Sequence, residues 1–163
     1  VDGDHSMVIF KASHLGISHT YGRFNDISGT FTWDQNNPTA SSLSVTIKAE
    51  SIDTNHDKRD QHLRNPDFFN AAQFPVITFV SSSVADKGNG VYAVTGTLSL
   101  HGVSREITVD LEKVGEGNDP WGGYRAGFHT NFTIDRTDFG MDYMTDGVPA
   151  DVGLTISLEG IRK

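Results

Sequence analysis

Seven histidines are the first residues to weigh, because imidazole both binds metals and moves protons near neutral pH. His14 with His19, and His56 with His62, are the nearest pairs in sequence. Neither pair has a strong ligand spacing and no HExxH occurs, so satisfied or solvent-facing imidazoles are expected and no metal is assigned. The run DRTDFGMDYMTD gathers Asp135, Asp138, Asp142 and Asp146, an acidic set of the kind that holds calcium. It lacks the ligand order and glycine of an EF-hand and reads as a solvated loop. Serine, histidine and aspartate are plentiful, but there is no GxSxG elbow, and a triad is defined by geometry rather than abundance. Carboxylates fall mostly at outward strand positions or turns, so no pair is marked for glycoside chemistry. Asn131, Phe132 and Thr133 match a glycosylation triplet but sit mid-strand, and are set aside. No catalytic residue is assigned. Cysteine is absent, which removes disulfides, thiolate metal sites and thiol nucleophiles while leaving the compartment open.

Charge narrows the partners further. The formal net charge is -8, and the 13 Lys and Arg are scattered, a balance that repels phosphate backbones and makes nucleic acid an unsuitable partner. No apolar run approaches the roughly 18 residues of a spanning helix. The sequence starts at Val1 with its first methionine at Met7, and is expected to be a processed or excised product. Its 163 residues suit one domain with one sizeable core, spanning 1–163.

The elements that must carry any site are strands. Val8, Phe10 and Ala12 alternate on a first strand; HLGISHTYG makes a bend; Ile27, Gly29, Phe31 and Trp33 share one face of a second. Leu43, Val45, Ile47 and Ala49 alternate with polar residues on a third. Further strands are expected near 76–85, 90–100 and 103–114, separated by Asp86–Gly90 and His101–Gly102. A seventh carries Tyr124, Ala126, Phe128, Phe132 and Ile134, and an eighth carries Val152, Leu154, Ile156 and Leu158. The class is all-β. Eight amphipathic strands can stack as two sheets or close as a barrel without exposed edges. Large inward residues, with small or polar Gly29, Gly96 and Thr130 in phase with them, predict an unevenly filled interior, and an eight-stranded barrel is about wide enough for one slim ligand.

Alternation stops only between Asp57 and Phe79. Thr54 or Asn55 is placed to cap a short helix after the third strand that ends near Asn65, because Pro66 cannot sit inside it. Phe68, Phe69 and Phe74 follow as an aromatic plug or lid, with Leu63, Phe68 and Phe74 directed inward. Arg59, His62 and Arg64 either tie the helix to neighbouring strands or offer donors to a ligand head group, the structural role being favoured.

The blocks HLGISHTYGRF, TNHDKRDQHLRNPDFFNAAQFPVITFVSSS, TGTLSLHGVSREITV and GFHTNFTIDRTDFGM, in that order and followed by SLEGIRK, resemble the YceI-like family of polyisoprenoid-binding proteins over almost the whole chain. The resemblance implies an eight-stranded antiparallel lipocalin-like barrel that binds, stores or transports a long isoprenoid lipid, such as a polyprenyl quinone, without turnover. It also implies a periplasmic or secreted location, transient membrane contact and a homodimer. The ligand-binding residues are then Phe10, Phe31, Trp33, Val45, Ile47, Phe79, Leu98, Phe128, Phe132, Leu154 and Ile156 along the wall, with Phe68 and Phe74 near the helix-covered end. Arg136 and Asp138, within the resemblance, read as a pair locking a loop beside the mouth. The alternative is a polysaccharide-binding or targeting module displaying Trp33, Trp121, Tyr124 and Tyr143, of which Trp121 in DPWGG is the one expected on the surface.

Overall fold

In the computed structural model, which describes residues 1–163, ten strands form one antiparallel sheet. They are β1 (Met7–His14), β2 (Ser18–Phe24), β3 (Ile27–Thr32), β4 (Ser42–Lys48), β5 (Ile52–Asp53), β6 (Val76–Gly88), β7 (Val91–Leu100), β8 (Val103–Asn118), β9 (Tyr124–Asp135) and β10 (Asp151–Ile161). The lateral order is β3-β4-β6-β7-β8-β9-β10-β1-β2-β5. The sheet curls on itself in a lipocalin-like manner. The end strand β3 follows directly in sequence from β2, which lies next to the opposite end, with only Asn25 and Asp26 between them.

That closure is made without a ladder between the end strands. On one side the Asn25 N–H donates to the Ser51 carbonyl and the Lys48 N–H to the Asp26 carbonyl. On the other, Phe31 of β3 lies against Gly160 of β10, within 2.3 Å of where a β-carbon on residue 160 would sit.

The strand count is ten where eight were expected. HLGISHTYG is a hairpin tip followed by the strand β2, and β5 is too short to show a period. The helix therefore follows the fifth strand. It is α1 (Asp57–Arg64), capped by His56, whose Nδ1 accepts from the Arg59 N–H at 3.2 Å, rather than by Thr54 or Asn55. Thr54 is engaged elsewhere: its N–H donates to the buried carboxylate of Asp60 at 2.9 Å, and its hydroxyl bonds the same oxygen.

Hairpin tips at Leu15–Gly16, Asn89–Gly90 and His101–Gly102 place both residues at positive φ. Such tips match the right-handed twist of the flanking strands, and asparagine followed by glycine fits them best. The main core gathers inward residues of β1 to β4, β6, β7 and β10 with Ile52 and Phe139, and a smaller cluster around Val84, Tyr92, Val94 and Val109 lies beside it.

Candidate functional site

Inward residues from the curled sheet leave a cavity of about 180 Å³, an order of magnitude more than one water requires. The bore is not filled by the protein's own side chains. Of its 29 lining residues 26 are apolar, leaving only Thr78, Thr130 and Arg136 to offer polar atoms. Two of those are already engaged. The Thr130 hydroxyl donates to the Asp110 carbonyl at 2.7 Å, and the Arg136 guanidinium is bound to backbone carbonyls.

Phe10, Val45, Ile47, Phe68, Phe79, Leu98, Phe132, Leu154 and Ile156 all line this cavity. Phe31, Trp33 and Phe128 line instead a smaller adjoining pocket that shares Leu43, Val94, Leu111 and Leu158 with it, which places them beyond the main cavity. They are inward but stand at the far end, in an edge-to-face stack with centroid distances of 5.5 Å for Phe31 and Phe128 and 5.1 Å for Trp33 and Phe128. Tyr92 joins Trp33 at 4.8 Å. Edge-to-face contacts let these rings pack at that end without overlapping. The Trp33 Nε1 is buried there without a hydrogen-bond partner, and the Lys113 ammonium lies 5.2 Å from its ring.

Phe74 is the fourth displaced residue. It packs outside the cavity, against Gly102 and the His101 ring 4.9 Å away, where it seats the β7–β8 tip. Phe69 joins Phe68 as an inward aromatic of this segment, lining the cavity with its ring 5.5 Å from Phe24.

At the mouth, α1 and the loop 140–150 frame the opening. Arg59 donates to the Thr54 hydroxyl and carbonyl, both at 2.7 Å, and Arg64 donates to the Glu50 and Ile52 carbonyls, both at 2.8 Å. Both arginines thus tie the helix to β5 and the residues flanking it. His62 pairs with Asp67 at 2.8 Å and stacks on Phe68 and Tyr143, at 5.1 and 5.5 Å. Leu63 and Phe68 point into the cavity from above.

Arg136 is 4% exposed and holds the facing loop. It donates to the carbonyls of Met141 (2.5 Å), Tyr143 (2.8 Å), Val148 (2.6 Å) and Pro149 (3.3 Å). Burial pulls its pKa below the ordinary arginine value, opposed by Asp142 and Asp135, yet arginine stays charged throughout the working range. The expected pairing with Asp138 is replaced by this carbonyl cage. Asp138 contributes its backbone oxygen to Arg105 at 3.1 Å instead.

The other candidate chemistry disperses. His14 and His19 lie on adjacent rungs of the β1–β2 hairpin and so point to opposite faces, while His56 caps α1. Asp135 caps the turn Arg136–Phe139, and hydrogen bonds from the Thr137 hydroxyl and N–H hold its pKa low. Asp2, His5 and Glu159 converge as a potential ligand set, but the Arg125 guanidinium sits among them, 2.7 Å from Asp2 and 2.5 Å from Glu159. Nor do the aromatic residues form a flat platform. Trp33 is inside, Tyr143 is stacked into the mouth, Tyr124 lies under Arg162 at 4.4 Å, and Trp121 alone is broadly exposed.

Ile107, Val109, Leu111, Ile134, Met141 and Val148 also line the cavity, and the sequence reading did not assign them. Alternation in ITVDL marks the first three; Met141 and Val148 belong to a loop with no period to read.

Against known proteins, the profile of the YceI-like domain matches residues 1–160. A UPF0312 protein of Shewanella sp. strain ANA-3 is 47% identical over 162 residues, covering 99% of this chain and 85% of that protein. The Campylobacter jejuni YceI protein is 35% identical with a TM-score of 0.83, covering 93% of this chain and 90% of that one. A polyisoprenoid-binding domain from Saccharophagus degradans, described as implicated in plant cell wall breakdown, shares the fold at a TM-score of 0.73 with 19% identity, covering 94% and 92% of the two chains. A curled ten-stranded sheet with one short helix over its mouth, matched by the family profile along nearly its full length, identifies this chain as a member of the YceI-like family.

Proposed function

We propose that this protein is a non-catalytic carrier that holds the tail of a long isoprenoid lipid, such as a polyprenyl quinone, in the central cavity. The observation that carries the reading is the lining: 26 apolar residues of 29, with the Thr130 and Arg136 donors satisfied internally. Such a space rewards hydrocarbon and offers little to a sugar or a charged metabolite. The shared fold of a polyisoprenoid-binding domain supports the same cargo class. A periplasmic or extracellular location and the absence of turnover belong to this proposal.

Energetics explain how such a protein loads and unloads. Each buried CH₂ is worth about 0.8 kcal/mol against water, so an isoprenoid of several units would soon reach the ceiling of about 18–21 kcal/mol on non-covalent affinity. Water is the wrong reference. A tail leaving a membrane is already dry, and its transfer to a dry bore is near neutral, which leaves selection to bore width, curvature and the mouth. One narrow bore between rigid rings favours a single kinked polyprenyl chain over paired acyl chains.

Organic extraction of the purified protein followed by mass spectrometry tests this directly, with a stoichiometric isoprenoid as the expected result. Competitive loading of a polyprenyl quinone against a phospholipid of equal carbon content is the second arm. Preferential capture of the phospholipid, or a cavity that stays empty under both, overturns the proposal.

A further inference from the structure

At the β1–β2 tip the turn is closed by the Ile17 N–H donating to the His14 carbonyl at 2.9 Å, with Leu15 and Gly16 at φ 54° and 69°. A leucine in the left-handed region is locally disfavoured, since its β-carbon crowds the backbone. The two other left-handed tips show what normally occupies this position. Asn89 suits the conformation intrinsically, and His101 is held by a bond between its Nδ1 and the Phe139 carbonyl at 3.0 Å. Leu15 has neither excuse, and half of it faces solvent (51%) beside an Ile17 that is 82% exposed.

Met144, in the loop opposite, repeats the pattern at φ 55° and 49% exposure. The two loops are joined. The Leu15 N–H donates to the Gly147 carbonyl at 2.7 Å, and the Leu15 and Met144 side chains both lie against Gly147. Val148, the next residue, lines the cavity, and Tyr143 stacks on the cavity residue Phe68 at 5.3 Å. Leu15, Ile17, Tyr143 and Met144 therefore form an apolar knuckle on the rim of the cavity mouth.

We infer that this knuckle inserts into the surface of a lipid bilayer, so that the mouth opens onto membrane rather than water; the inference rests on the carrier reading for its purpose but has its own readout. Three features select a bilayer as the occupant. The knuckle is continuous with the dry bore, so a tail can pass between two apolar phases without crossing water. Its four exposed side chains fall well short of the roughly 20–30 residues a side of a stable protein complex, whereas insertion into lipid needs no complementary surface. The charge is also suited to one kind of membrane. Residues 15–21 carry no Lys, Arg, Asp or Glu, and the loop 141–149 carries only Asp142 and Asp146, so zwitterionic lipid fits and anionic lipid is repelled.

Flotation with phosphatidylcholine vesicles tests the surface, using delipidated wild type and Leu15→Asn/Ile17→Ser/Met144→Asn. Asparagine relieves the left-handed strain at two positions, so the variant is expected to melt no lower than wild type while vesicle association falls at least tenfold. Added salt should leave wild-type association unchanged, and phosphatidylglycerol should weaken it. Loading from detergent solution reads the cavity separately: it should be unchanged in the variant, while transfer of the same polyprenyl quinone from vesicles slows at least tenfold. Equal flotation and equal transfer rates for the two proteins overturn the inference, whatever the cavity holds. So does a stable wild-type dimer that the variant converts to monomer, which would assign the knuckle to a second copy.

Discussion

Phe10 and Gly22 face each other across the β1–β2 ladder, and the Phe10 ring occupies the space a side chain at residue 22 would need. A β-carbon there would come within 2.2 Å of the ring and 2.7 Å of the Thr54 methyl. The ring lines the cavity and has open space to yield into there. Gly22→Ala is therefore expected to turn Phe10 into the bore, shorten or abolish the lipid retained on extraction, and cost about 1–3 kcal/mol as overpacking. Gly22→Ala/Phe10→Leu should recover both melting temperature and cargo. Full loading of the single variant would show that Phe10 does not bound the tail.

That pair also explains what the sequence hid. Period-two alternation exposed β1, β3, β4 and β6 to β10, because each keeps bulky apolar residues on its inner face. In β2 the inner face reads Thr20, Gly22, Phe24: the bulk at Gly22 is supplied by Phe10 from the neighbouring strand, so the strand lacks a signal of its own. Alternation reports which face a residue takes, never its height along a bore. Phe31, Trp33 and Phe128 were accordingly legible as inward but not as a stack beyond the main cavity. The role of Arg136 was legible as a loop lock, but its four carbonyl partners depend on a loop conformation with no period.

Arg136→Met should release the loop 140–150 while leaving the sheet intact. The change removes charge-assisted bonds worth about 1.5–3 kcal/mol each before compensation, and strands four carbonyls, so a net loss of about 2–4 kcal/mol is expected. Hydrogen exchange checks it: protection should fall at Met141, Gly147 and Val148, whose amides lie in that loop, and persist in β7 and β9. Global loss of protection would mean that the loop is part of the folding core. Lys in place of Arg should not rescue, since one ammonium cannot reach four carbonyls in a plane.

Wall and far end should respond differently to substitution. Leu154→Asp puts a carboxylate into a lining that is apolar at 26 of its 29 residues, and is expected to remove bound lipid while its half-buried position limits the cost to folding. Phe128→Leu, outside the cavity, should keep the lipid and change the fluorescence of Trp33, which it touches. Mass spectrometry of extracts from both variants decides the matter. Retention by the first and loss by the second would relocate the cargo to the Phe31–Trp33 end.

Acid should loosen the end of the barrel held by Arg125. Hydrogen bonds from His5 and then Arg125 hold the Asp2 carboxyl down from 3.8 to about 2, and the Arg125 side chain followed by the Gly123 N–H lowers that of Asp119. A carboxyl whose folded pKa lies below its unfolded one gives stability that is complete above the unfolded value and lost as pH falls through the folded one. For Asp2 that window runs from about 4 down to about 2. Melting temperature should be flat above it and fall within it. Asp119→Asn should start from a lower plateau and fall less steeply, because one of the titrating partners of Arg125 is gone. Parallel profiles for the two proteins would show that the Asp2–Arg125–Asp119 bonds are replaced by equivalent ones in the unfolded chain, and that the acid sensitivity lies elsewhere.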